Sequence, residues 1–380
     1  MGRLPKSVYG AVVHPQEIHD DDVPLPVNRG PLAMTSRGVG ALVDRALLTL
    51  MKRPSMYPSD DDHQRVRRET RAAFELFQRQ GWIDDPRSAH ATPPPLKHPA
   101  VLHPRSRIPG LEQLVFESQY RLHPDDPSAT RWRDRPRNRT AHAWVVRHPE
   151  PDRPWLVCVH GLGQGHPRID LRAFEAARMS KQHRLNLIFP ILPLHGARRD
   201  PQVPIGGLLS YELVDNIHGL RQAVWDVRRV MSWIRLQGAD RIGIYGQSIG
   251  ALVSSLVAAM EPVDMALAGI PVCDVPSLFR IHAPHELRTQ LDDGTFLGDE
   301  IRALYQSVCP VEITRTVDPM TRFIFAGLAD RVSTPSQAQL LYEAWGKPDI
   351  HWYDSGHVGA FWTPSVRRYI DNALLTLGAP

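Results

Sequence analysis

The strongest constraint on this chain's fold is the run from Arg241 to Val253, where a short apolar stretch meets a glycine-flanked serine and resumes as a small, apolar one. Gly246, Gln247, Ser248, Ile249 and Gly250 fill a G-x-S-x-G pattern. The pattern has a steric logic. A serine held in a strained conformation between strand and helix lifts its hydroxyl clear of the sheet, and side chains two positions either way would strike the neighbouring strand and helix. A glycine-flanked serine can also be plain turn chemistry, so the flanks decide. Ile242 to Tyr245 predicts a buried strand and Ala251 to Met260 a helix. The stretch reads as a nucleophile elbow with Ser248 as the nucleophile.

The rest of the chain supplies the sheet this elbow needs. Strands are expected at Trp155 to Val159, Leu185 to Phe189, Arg241 to Tyr245, Met265 to Ile270, Arg322 to Phe325 and Ile350 to Tyr353. Between them fall helices at about Arg168 to Gln182, Glu212 to Leu236, Ile249 to Met260 and Pro335 to Trp345, with a last one from about Ala360 to Leu377. Strands alternating with helices imply a mostly parallel, doubly wound α/β sheet covered on both faces. Two strands come earlier, one with Leu114, Phe116, Ser118, Tyr120 and Leu122 on one face and one from Thr140 to Arg147, joined by a hairpin loop over Asp125 to Asn138. Residues 111–380 thus form the expected catalytic domain. Within it, residues 275–320 contain no clear strand and one helix, Gly298 to Ser307, and are expected to form a lid or cap. Residues 1–110 are a proline-rich extension with two helical segments. One is an amphipathic helix over Gly38 to Lys52 with Val39, Val43, Ala46, Leu47 and Leu50 on its apolar face, which could lie on a membrane, cover the active site or, as the default expectation, pack on the body; the other runs from Asp61 to Arg79.

A serine hydroxyl needs a base, usually histidine, and the histidine needs a carboxylate to hold its tautomer. In the chain order this motif favours, acid and then histidine follow the serine. Asp330 follows the strand Arg322 to Phe325, and His357 follows the last strand; both lie at carboxyl ends of strands, where ligands bind in open α/β sheets. Asp274, after the strand ending at Ile270, is the rival acid. The oxyanion of acyl transfer needs preorganised N–H donors. The loop His160-Gly-Leu-Gly-Gln-Gly165 allows close backbone approach, and the backbone amides of Leu162 and Ile249 are the expected donors. Gly161, Gly163 and Gly165 do not fit the dinucleotide spacing.

These residues resemble the α/β-hydrolase superfamily from about Leu114 to the C-terminus. Leu192-Pro-Leu-His-Gly-Ala-Arg-Arg199 and Gly356-His-Val-Gly-Ala-Phe361 are similar to the group typified by alpha/beta-hydrolase domain-containing protein 18, although Ala251 stands where many of that group carry glycine. No substrate is inherited from that group; the residues themselves are read as a serine hydrolase that cleaves carboxylic esters or thioesters of small molecules through an acyl-enzyme, with Ser248 as nucleophile, His357 as general acid and base and Asp330 orienting it, and no cofactor. An acyltransferase on the same triad and a non-catalytic hydrolase-like binding protein are the alternatives.

Composition narrows the remaining classes. Of 45 basic residues only five are lysine, and 41 acidic residues nearly balance them, so the arginines are expected as solvated surface and nucleic acid is not an expected partner. His282 and His285 lack an acidic third ligand at a motif position, so no metal is expected. Three unpatterned cysteines and the absence of an apolar N-terminal segment or membrane-length run favour a cytoplasmic protein, with peripheral membrane contact left open.

Overall fold

The computed structural model describes residues 23, 25, 26, 30–51, 59–103, 108, 110–201, 207–283, 298–313 and 318–378. Its centre is a sheet whose strands, in chain order, are β1 (Ala100–Leu102), β2 (Leu111–Glu117), β3 (Thr140–Val146), β4 (Trp155–Val159), β5 (Asn186–Pro190), β6 (Ile242–Gln247), β7 (Met265–Gly269), β8 (Arg322–Gly327) and β9 (Asp349–Tyr353). They lie side by side as β1-β2-β3-β5-β4-β6-β7-β8-β9. From β5 to β9 every pairing is parallel; β1, β2 and β3 extend one edge antiparallel. The strands from β4 to β8 are buried at every residue, as their largely apolar character requires of a sheet covered on both faces.

The helices are α1 (Pro31–Met51), α2 (Asp60–Arg79), α3 (Ala129–Arg133), α4 (Pro136–Arg139), α5 (Pro167–Ala173), α6 (Ala176–Gln182), α7 (Leu213–Leu236), α8 (Ile249–Met260), α9 (Val275–His282), α10 (Asp299–Gln306), α11 (Pro335–Ala344) and α12 (Pro364–Leu374). One face of the sheet packs on α2, α7, α8, α10 and α11 through residues such as Phe77, Leu220, Leu252, Leu304 and Leu341. The other packs on α6 and α12 through Met179, Ile370 and Leu374. The architecture is the α/β-hydrolase fold. The elbow therefore opens at the carboxyl edge of a central strand.

Several expectations change. Residues 125–138 are not a plain loop but hold α3 and the start of α4. β2 stops at Glu117 because Gln119 adopts φ 55°, and Ser118 instead buries its hydroxyl against Asp226 Oδ1 at 2.6 Å. The single helix expected over 168–182 is broken at Glu175, where φ is 48°. The final helix spans α12, flanked by short 3-10 turns at Val358–Phe361 and Leu375–Leu377. α1 begins at Pro31, a favoured first helical residue, and turns Ala33, Gly40 and Asp44 inward while Val39 and Ala46 are exposed. Arginine is not only surface: Arg198 and Arg322 are fully enclosed. Arg198 donates to Asp226 Oδ2 at 2.8 Å and to the carbonyls of Ile191 and Asn138 at 3.0 and 2.8 Å, the pairing that a buried charge needs. Of residues 275–320, 284–297 and 314–317 lie outside the described residues; α10 packs on α2 and α7, where Tyr305 Oη donates to Leu213 O at 3.2 Å.

Candidate active site

Ser248 sits between β6 and α8 at φ 57° and ψ −122°, a conformation costly for any residue with a side chain. The glycines make it attainable. A β-carbon on Gly246 would lie 2.1 Å from Gly250 O, and one on Gly250 would lie 2.1 Å from Val159 O, so neither position admits alanine. Ser248 N–H donates to Gly269 O at 2.9 Å, anchoring the turn to β7, and its side chain remains half-buried.

Asp330 and His357 are brought together. The His357 imidazole lies with Nδ1 at 2.8 Å from Asp330 Oδ2, both groups buried. Asp330 Oδ1 accepts the amides of Val332 and Ser333 at 2.8 and 2.9 Å, which fixes the carboxylate in its loop. Ser333 Oγ donates to Ile270 O at 3.0 Å and stands 3.2 Å from His357 Nδ1. Burial disfavours the charged imidazole, but the charge and hydrogen bond of Asp330, with the charge of Asp44, outweigh it and hold His357 above the ordinary histidine value. Among the described residues no hydrogen bond runs from Ser248 Oγ to His357. The structure joins Asp330 to His357 and leaves Ser248 unjoined to either.

Asp274, the rival acid, is occupied elsewhere. Its side chain caps α9: Oδ1 accepts Ser277 N–H at 3.2 Å and Oδ2 accepts the Ser277 hydroxyl. The pattern Asp274-Val-Pro-Ser277 carried that signal, a capping residue followed by proline in the first turn.

The loop after β4 lies against the elbow: a β-carbon on Gly161 would sit 3.5 Å from Ser248 Cβ. Gly163 and Gly165 adopt φ 75° and 98°. Gly161 N–H donates to Gln164 Oε1 at 3.1 Å, and Gly165 N–H to Asp170 Oδ1 at 3.0 Å. His160 braces the loop from below. Burial, aided by the Arg198 charge, pulls its imidazole down to about 4, so it is neutral near pH 7. A neutral ring accounts for both contacts: Nδ1–H donates to Gly161 O at 2.8 Å, and Nε2 accepts Leu192 N–H at 3.1 Å. The amides of Leu162 and Ile249 donate to no acceptor among the described residues. Ile249 N–H also sits at the positive end of α8.

Sequence reasoning missed Asp44, whose buried carboxylate meets the backbone of His357, and Ser333. The signal for Asp44 was available in part, since Asp44 and Arg45 are the only charges between Gly38 and Met51. No cluster of three or more potential metal ligands occurs among the described residues; His282 Nε2 contacts Val332 O at 2.8 Å, and His285 lies outside them. No described helix is long and apolar enough to cross a membrane.

No family model matches the chain. It is 36% identical over 354 residues to uncharacterized protein MT2702 of Mycobacterium tuberculosis (strain CDC 1551 / Oshkosh), covering 92% of this chain and 84% of the relative. It is 35% identical over the same length and shares to uncharacterized protein Rv2627c of Mycobacterium tuberculosis (strain ATCC 25618 / H37Rv). Similar solved structures include a Pyrococcus horikoshii acylaminoacyl peptidase, with TM-score 0.43 and 15% identity over 60% of this chain and 37% of that one. A Mycobacterium tuberculosis puromycin-hydrolyzing peptidase gives TM-score 0.45 and 18% identity over 63% and 37%. The Pyrococcus furiosus esterase Pf2001 gives 0.40 and 14% over 62% and 87%. The chain spans little more than a third of the length of the two peptidases. These comparisons lend nothing to the narrower resemblance with the alpha/beta-hydrolase domain-containing protein 18 group.

Proposed function

The chain belongs to the family of the Mycobacterium tuberculosis proteins MT2702 and Rv2627c, and from the geometry of its own site we propose that it is a serine hydrolase of acyl esters or thioesters. The observation that carries this reading is the buried His357–Asp330 pair, 2.8 Å apart, at the same sheet edge as the strained Ser248 turn. Asp330 holds the proton on Nδ1, leaving Nε2 as the base. His357 takes the Ser248 proton as Oγ attacks the acyl carbon and returns it to the leaving alcohol or thiol. Water then repeats the cycle to release the acid. The Leu162 and Ile249 amides, free of other acceptors among the described residues, are suited to the developing oxyanion, where loss of one such donor typically slows turnover by about 10² to 10³. The serine and histidine are unjoined here, and contacts of this kind commonly tighten only with substrate bound.

The test is covalent labelling of Ser248 by a fluorophosphonate, followed by a screen over acyl esters and thioesters of graded chain length, with aminoacyl and peptide amides alongside and an acceptor alcohol in a parallel series. Labelling lost in Ser248→Ala, with ester turnover lowered about 10⁴-fold or more, is the expected result. A wild-type protein that neither labels nor turns over any acyl substrate overturns the reading; preferred cleavage of the amides makes it a peptidase, and dominant transfer to the alcohol an acyltransferase.

A further inference from the structure

We infer that Asp44, on α1, is a positioning residue whose buried carboxylate ties the Asp330 loop to the His357 loop and fixes the backbone from which the imidazole projects. Asp44 is fully buried. Its Oδ2 accepts His357 N–H at 2.7 Å and Arg331 N–H at 3.0 Å, and its Oδ1 accepts Val358 N–H at 3.3 Å. One carboxylate thus bonds the histidine itself, the residue after it and the residue after Asp330. Among the described residues no basic side chain pairs with Asp44. Removing an unpaired carboxylate from water is expensive unless N–H groups meet it, and these three amides are what meet it. A leucine would serve packing alone.

The helix is shaped to deliver this group. A β-carbon on Gly40 would lie 2.2 Å from Gly356 N, and one on Gly356 would lie 2.5 Å from Asp44 Oδ2 and 2.6 Å from Gly40 O. Backbone therefore lies on backbone, with no room for a side chain on either partner. Arg37 Nε, 3.3 Å from Asp354 Oδ1, adds a second contact between α1 and the loop after β9. The groups acting on His357 are Asp330, on the loop after β8, and Asp44 from α1; Ser333 Oγ stands 3.2 Å from Nδ1 without titrating, and the buried Tyr353 hydroxyl donates to Gly356 O, beside His357, at 2.9 Å. Among the described residues the charges acting on the ring are two carboxylates, Asp330 at Nδ1 and Asp44 behind the backbone.

The inference rests on the reading of Ser248, His357 and Asp330 as a triad, and the test separates the two. The rate of fluorophosphonate labelling of Ser248 is measured against pH in the full chain, because that reaction needs neutral His357. Asp44→Asn keeps an oxygen for the Arg331 and His357 amides but loses the charge. Its plateau is expected within about threefold of wild type, with the acid limb moved down by about half a unit to one unit. Asp44→Ala loses the tie as well, and its plateau is expected to fall on the order of 10- to 100-fold. Leu304→Ala, in the core away from the site, lowers stability and is expected to leave the limb in place. An unmoved limb in Asp44→Asn, a wild-type plateau in folded Asp44→Ala, or an equal limb shift in Leu304→Ala each overturns the role of Asp44 while leaving the triad standing. Should Asp44→Ala fail to fold, the limb of Asp44→Asn decides alone. A wild-type Ser248 that does not react overturns both readings.

Discussion

His357 is the residue where burial and charge compete most directly. Burial alone would lower its affinity for a proton, but Asp330 and Asp44 reverse the sign and raise it. On the proposed reading His357 acts as base in its neutral form, so a raised value means that the proton is still held where an ordinary histidine has lost it. The acid limb of kcat/KM is therefore expected above the ordinary histidine value of about 6.5, higher than an unperturbed ring would give. A limb at or below that value, on a substrate whose chemistry is rate-limiting, overturns the assignment. The two candidate acids separate just as sharply. Asp330→Asn leaves His357 without its tautomer partner and is expected to lower turnover about 10⁴-fold. Asp274→Ala instead removes the cap of α9, at about 1 kcal/mol of stability by urea denaturation, with kcat unchanged. Reversal of the two effects would move the acid role to Asp274.

At the scale of elements, α1 carries two glycines two residues apart with opposite requirements. Gly38 has nothing within 4 Å of a built β-carbon, so Gly38→Ala should stabilise the helix by about 0.5–1 kcal/mol. Gly40→Ala places a methyl 2.2 Å from Gly356 N and should force the helix off the His357 loop, seen as faster amide exchange in 31–51 and slower Ser248 labelling. Equal behaviour of the two variants would deny the close docking. What was legible in the sequence follows the same division between local and distant causes. The elbow and the strands from β4 to β8 could be read because buried parallel strands are largely apolar runs ended by loop residues. The break between α5 and α6 could not, since Glu175 takes φ 48° without a glycine or proline to mark it. β2 was read too long because Ser118, Tyr120 and Leu122 continue the alternation after Gln119 has already turned the backbone. The Asp44–His357 contact joins residues 313 positions apart, and no local pattern encodes such a pairing. The same distance explains why α1 was expected to pack by its apolar stripe when a carboxylate and a glycine make the contact.

The whole molecule does not divide where composition changes. α2 belongs to the proline-rich extension, yet Val66, Ala73, Leu76 and Phe77 are buried, and three of them join the core that covers one sheet face. Charges fasten the same helix: Arg65 bonds Glu212 at 2.6 Å, and Arg131 reaches both Glu69 and Asp215, at 2.8 and 2.9 Å. α1 is attached differently, by a few close contacts at the site and little buried apolar surface. The two helices should therefore respond differently to truncation. A chain starting at residue 52 loses α1 and is expected to fold cooperatively while labelling Ser248 more slowly, because the tie at Asp44 is gone. A chain starting at residue 81 also loses α2 and uncovers α7 and α10. Emptying the sites of Leu76 and Phe77 alone forfeits about 2–5 kcal/mol each, against a total stability of about 5–15 kcal/mol for a typical domain. That chain is expected to be insoluble or to lack a cooperative thermal transition by calorimetry. A sharp transition in the chain starting at residue 81 would mean that residues 81–380 hold a complete core without α2, whereas failure of both truncations would mean that α1 contributes far more to folding than its contacts suggest.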